Sequence, residues 1–190
     1  DEINTVNKYK GYSFKNTNPE IIPEVINDGG VIKVYYVKPD IKAKKTIWQD
    51  GKKLDDNAIV EAGSTVTYKI TASNTGYLAG NVTIKDEELP QGNVTNITAT
   101  GYTETLTVQD LKDGIVLNVP ARGTAEVTIT IKLTGAIGTP ISNTAKYDNT
   151  ETNKVENNVE KTVALKAKAE QVQVLNTNVI LVMDISYSMN

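Results

Sequence analysis

Between residues 125 and 133 apolar and polar side chains alternate without a break. Ala125, Val127, Ile129, Ile131 and Leu133 fall on one side, and Glu126, Thr128, Thr130 and Lys132 fall on the other. A period of two marks an extended strand with one face in a core, because successive strand side chains point to opposite faces. The alternation returns in Val66, Tyr68, Ile70 and Ala72, in Val82 and Ile84, and in Ile141, Asn143, Ala145 and Tyr147, while residues 155–165 offer a last strand. Turn signals such as Leu89-Pro90-Gln91-Gly92 divide these segments at the spacing of a sandwich. No segment here has a convincing helical period, so the pattern predicts an all-β, antiparallel β-sandwich.

Composition bears on function mainly by exclusion. A chain of 190 residues accommodates one sandwich with flanking material. It contains neither Cys nor His, which removes disulfides, Cys nucleophiles, His-based triads and the commonest zinc ligand sets. A turnover enzyme is therefore not expected. The net charge of −3 is interspersed, leaving no basic face for nucleic acid and no polybasic segment for a membrane. The apolar run 179–183 is too short to span a bilayer, so direct membrane insertion is not expected.

Parity also places polar residues, since a residue in register with apolar neighbours points where they point. In Ile41-Lys42-Ala43-Lys44-Lys45-Thr46-Ile47 the inward set is Ile41, Ala43, Lys45 and Ile47, so Lys45 faces the core while Lys42 and Lys44 face water. Asp86 follows Val82 and Ile84 inward, and Asn143 follows Ile141. A lone buried ammonium or carboxylate costs several kcal/mol, so three such groups are tolerable inside only if they meet. Apolar walls lower a lysine pKa toward a neutral amine and raise that of a carboxyl, which then holds a proton to donate. Lys45 is thus a candidate nucleophile toward the Asn143 carboxamide, with Asp86 as the catalytic proton shuttle and ammonia as the leaving group. The expected product is a Lys45–Asn143 isopeptide crosslink formed once per molecule. The structural alternative is that Lys45 snorkels at the sheet margin, Asp86 caps a turn and Asn143 bonds to backbone.

Five stretches carry a family resemblance: Lys45-Thr46-Ile47, Gly63-Ser64-Thr65-Val66-Thr67-Tyr68, Asn74-Thr75-Gly76, Asn81-Val82-Thr83-Ile84-Lys85-Asp86-Glu87-Glu88-Leu89-Pro90 and Ile141-Ser142-Asn143-Thr144-Ala145. In order and spacing, residues 39–165 resemble the conserved repeat domain of Gram-positive surface proteins and the related isopeptide-forming domains of fimbrial proteins. The resemblance implies an Ig-like antiparallel β-sandwich at the cell surface or cell wall. It also implies an amine from the first strand, an acid from the strand before the Leu-Pro turn and an Asn from a strand near the end, which fall on Lys45, Asp86 and Asn143. Glu87 and Glu88 depart from the pattern, since relatives often carry small polar residues there.

The flanks have resemblances of their own. Residues 1–38 resemble the closing half of a mucin-binding-type, β-grasp-like repeat, on Gly11-Tyr12-Ser13-Phe14 and on the strand that Gly29-Gly30 releases at Val31-Ile32-Lys33-Val34-Tyr35-Tyr36-Val37-Lys38. Residues 166–177 read as a linker. Residues 178–190 resemble the first strand and metal loop of a von Willebrand factor A domain, where Asp184, Ser186 and Ser188 fit the Asp-x-Ser-x-Ser motif. One carboxylate and two hydroxyls are hard ligands suited to Mg²⁺. Relatives complete the shell from later loops, so this site is expected to be incomplete and no cofactor is expected.

The expected function is mechanical, that of a structural stalk module in a bacterial cell-surface adhesin or pilus-like protein. Its partners would be neighbouring domains of the same protein, other copies of itself and an unnamed host ligand. The alternative is a self-assembling filament subunit that donates its terminal strands between molecules. A metal-dependent binding module is a third possibility.

Overall fold

In the computed structural model, which describes residues 9–160, the chain runs through β1 (Ser13–Asn18), β2 (Lys33–Val37), β3 (Ile41–Gln49), β4 (Lys52–Lys53), β5 (Ile59–Glu61), β6 (Thr65–Asn74), β7 (Gly80–Lys85) and β8 (Gly92–Ala99). It continues through a helix, α1 (Val108–Asp113), then β9 (Ile115–Val119), β10 (Thr124–Leu133), β11 (Pro140–Asn143), β12 (Lys146–Tyr147), β13 (Thr150–Glu151) and β14 (Val155–Glu160). One layer is a five-stranded sheet in the order β4-β3-β6-β10-β8. The other layer is split into β11-β14-β5 and β13-β12-β7-β9. Every pairing is antiparallel except β14 with β5. The fold is an all-β sandwich.

Register follows the hydrophobic pattern. Ala125, Val127, Ile129 and Ile131 of β10 face Ala72, Ile70, Tyr68 and Val66 of β6, and all eight are buried. A slip of one residue would turn both apolar sets to water. Val82 and Ile84 from β7, Leu117 from β9 and Val155 and Val159 from β14 close the same core from the opposite layer.

Asn74 ends β6 and orders the entry to β3. Its Oδ1 accepts from Asp40 N and Gly76 N, each at 2.9 Å, while its Nδ2 donates to the carbonyls of Leu78 at 2.8 Å and Val119 at 3.3 Å. Gly76 is required beside it, because a Cβ there would lie 2.7 Å from Asp40 N.

The structure departs from the sequence expectation in three elements. Helix α1 has no counterpart in the periodicity, because six residues are too few to display a period. Its start is a capping box: the Thr107 side chain accepts from Asp110 N and the Asp110 carboxylate accepts from Thr107 N at 2.7 Å. The strand expected through Ile141, Asn143, Ala145 and Tyr147 is two strands. Its inward residues alternate as predicted, but β11 pairs with β14 and β12 with β7, so the chain crosses from one small sheet to the other after Asn143. In the first 38 residues, β1 pairs antiparallel with β2, which begins at Lys33 rather than Val31. The linker at 166–177, the segment 178–190 with Asp184, Ser186 and Ser188, and the last residues of the expected final strand lie outside the described residues.

Candidate functional site

Each sheet of the sandwich delivers one member of the cluster. Lys45 lies on β3 in the five-stranded sheet, Asp86 immediately follows β7, and Asn143 closes β11. Lys45 and Asp86 are 0% exposed and Asn143 is 2% exposed, although the chain separates them widely. Lys45 is thus sealed inside and does not snorkel.

The Lys45 ammonium pairs with Asp86 Oδ2, and Asn143 Nδ2 donates to the same oxygen at 3.3 Å. Asp86 is therefore the hub, touching both the amine and the carboxamide. Lys45 Nζ also sits 5.0 Å from the centre of the Tyr68 ring, whose face attracts a cation. Among the described residues Asp86 Oδ1 and Asn143 Oδ1 are buried without a hydrogen-bond partner, as are Ser64 Oγ and Asn157 Oδ1 outside the cluster. That is unusual, because buried polar atoms are generally satisfied and an orphan one calls for an explanation such as chemistry at the site.

The electrostatics lead in the same direction. Burial lowers the Lys45 pKa to about 8, against the pull of the Asp86 charge. Burial also raises Asp86 above the ordinary carboxylate range, opposed by Lys45 and by the hydrogen bonds from Lys45 and Asn143. The Tyr68 hydroxyl is raised as well, first by burial and then by the Asp86 charge. Both members of the ion pair are pushed toward neutrality, so a proton passed from Lys45 to Asp86 yields a free amine beside a carboxylic acid at modest cost. An acid and a neutral amine are the two groups that aminolysis of a neighbouring carboxamide needs, and Asp86 meets the Asn143 carboxamide at Nδ2.

No protein-family model matches this chain, and no curated protein matches it.

The supporting geometry comes from backbone. Asp86 N donates to the Leu111 carbonyl at 3.3 Å, so α1 fixes the loop that carries the acid. Glu87 and Glu88 are exposed and lie with Glu151 on a surface cavity of about 200 Å³ that Asn143 also lines. Glu87 pairs with Lys146 at 3.2 Å. Neither glutamate competes with Asp86 for Lys45.

Parity in the sequence selected the three clustered residues but passed over other buried polar groups. Asn157 is 1% exposed between Val155 and Val159, and its Nδ2 donates to the Asp55 and Ala58 carbonyls at 3.1 Å. The same alternation in Val155, Asn157 and Val159 was available to find it. Buried Thr152 and its exposed neighbour Asn153 lie between strands, where no period exists to place them. Among the described residues no group of three or more His, Cys, Asp or Glu is arranged to hold a metal, and no helix is long and apolar enough to cross a membrane.

Proposed function

We propose that this chain contributes a stalk module to a Gram-positive cell-surface adhesin or pilus-like protein, and that Lys45 and Asn143 brace it by an autocatalytic intramolecular isopeptide bond. The carrying observation is that an amine, an acid and a carboxamide delivered by three different sheets share one buried cluster in which the acid touches both other groups. Lys45 passes a proton to Asp86, and its neutral Nζ attacks the Asn143 side-chain carbonyl carbon. Asp86 first protonates the carbonyl oxygen and then relays protons to the departing nitrogen. The C–Nδ2 bond breaks, a C–Nζ bond forms, and one ammonia is released, leaving Asp86 as a neutral carboxylic acid that holds the proton the Lys45 ammonium brought in. No redox partner or cofactor enters the balance. The charged pair is consumed, which removes the cost of keeping an ammonium and a carboxylate in a dry interior.

Intact-mass spectrometry of folded protein tests the proposal. The expected mass is one ammonia below that of the linear sequence, with the deficit absent in Lys45→Met and Asn143→Ala. A full linear mass in folded wild-type protein would refute the crosslink.

The filament reading draws on the β1–β2 sheet, which has no third strand among the described residues and so leaves a ladder edge on each strand. Size-exclusion chromatography separates the two readings. A monomer independent of concentration favours the stalk, whereas polymers lost on deleting residues 1–38 or 178–190 favour strand donation.

A further inference from the structure

Beside Lys45 the outer edge of β3 has no neighbouring strand among the described residues. β4 covers only Trp48 and Gln49, and Leu54 N reaches the Ile47 carbonyl at 2.9 Å. In an antiparallel ladder alternate residues turn both backbone groups to the same side, and those of Lys45 face away from β6. The Asn153 carboxamide takes the place of the missing strand. Its Oδ1 accepts from Lys45 N at 2.9 Å, and its Nδ2 donates to the Lys45 carbonyl at 3.0 Å. The preceding residue grips the short segment that follows the other reacting strand. Thr152 N donates to the Ala145 carbonyl at 2.8 Å, and Ala145 N donates to Thr152 Oγ1 at 3.1 Å, two residues beyond Asn143. Thr152 Oγ1 in turn donates to the Asn153 carbonyl at 3.1 Å, which stiffens the dipeptide.

We propose that Thr152 and Asn153 are positioning residues for crosslink formation, a two-residue clasp that holds the backbone of the amine strand against the segment by which the chain leaves Asn143. This rests on the crosslinking proposed above and extends it to residues that do not touch the reacting atoms. Lys45 and Asn143 belong to sheets that share no ladder, so strand pairing alone leaves their relative position to core packing. Two adjacent residues with two backbone hydrogen bonds each to Lys45 and Ala145 remove that freedom. A shift of either strand by one residue would also turn its reacting side chain outward.

The test follows ammonia loss by intact mass after a short pulse of cell-free synthesis of the whole chain, with folding monitored by circular dichroism in the same samples. Thr152→Val and Asn153→Ala are expected to slow the loss by about 10- to 100-fold, the scale of misplacing a reacting group by about 1 Å. Thr152→Ser, which keeps the hydroxyl, is expected to restore the wild-type rate. Ile97→Ala, a core truncation on β8 at the far edge of the five-stranded sheet, is expected to leave the rate unchanged, which separates positioning from general destabilisation. If Asn153→Ala does not fold, Asn153→Asp keeps the size and the acceptor, removes the donor to the Lys45 carbonyl, and carries the same prediction. Unchanged rates in folded Thr152→Val and Asn153 variants alongside normal ammonia loss in the wild type would overturn the clasp alone. A wild-type chain that never loses ammonia would overturn the crosslink and the clasp together.

Discussion

Asp86 concentrates the chemistry of the cluster, because one of its oxygens meets both Lys45 and Asn143. Lys45 and Asp86 titrate as a pair, and the reactive form carries one proton between them. Below the raised Asp86 pKa the pair holds two protons and the amine is blocked; above about pH 8 the shared proton leaves and no acid remains. The rate of ammonia loss is therefore expected to be bell-shaped in pH with its alkaline limb near 8. A rate that kept climbing toward the ordinary lysine pKa of 10.5 would exclude Asp86 as the acid. Removing Asp86 leaves the buried Lys45 amine without its only charged partner among the described residues. Compared with Asn143→Ala alone, Asp86→Ala with Asn143→Ala is expected to lose roughly 3–5 kcal/mol in urea unfolding, the cost of breaking a buried pair. These three residues were legible in the sequence because each lies in register with apolar neighbours. Asn153 was not, since its role depends on a strand edge that is open only in three dimensions.

Helix α1 shows how a short element serves the site without touching the reacting groups. It buries Leu111 and supplies the carbonyl that holds Asp86 N. Thr107→Ala removes the cap, and about 1 kcal/mol of stability is expected to be lost in urea unfolding. Asn74→Ala, which leaves Asp40 N and Gly76 N without their shared acceptor, is expected to cost about 1–3 kcal/mol in the same assay. The long strands β6 and β10 were legible because burial of one face enforces a period of two over ten residues. The break between β11 and β12 was not, because parity continues through it while the ladder partners change. Alternation records which way a side chain faces and carries no information about which strand lies alongside.

At the scale of the molecule, a bond between residues 45 and 143 closes most of the sandwich into one covalent loop. By analogy with a disulfide across about 100 residues, it is expected to stabilise the fold by roughly 4–5 kcal/mol through restriction of the unfolded chain, less any strain. Pulled from its ends, the crosslinked protein is expected to withhold roughly 340 Å of contour length that the Lys45→Met variant releases, which single-molecule force spectroscopy reads directly. The most direct measurement is tandem mass spectrometry of the trypsin-digested wild-type protein. The account predicts a branched peptide joining residues 45–52 to residues 133–146 through the side chains of Lys45 and Asn143, lighter than the sum of those two linear peptides by one ammonia and uncut after Lys45. Recovery of both segments only as separate linear peptides, with cleavage after Lys45, would contradict it.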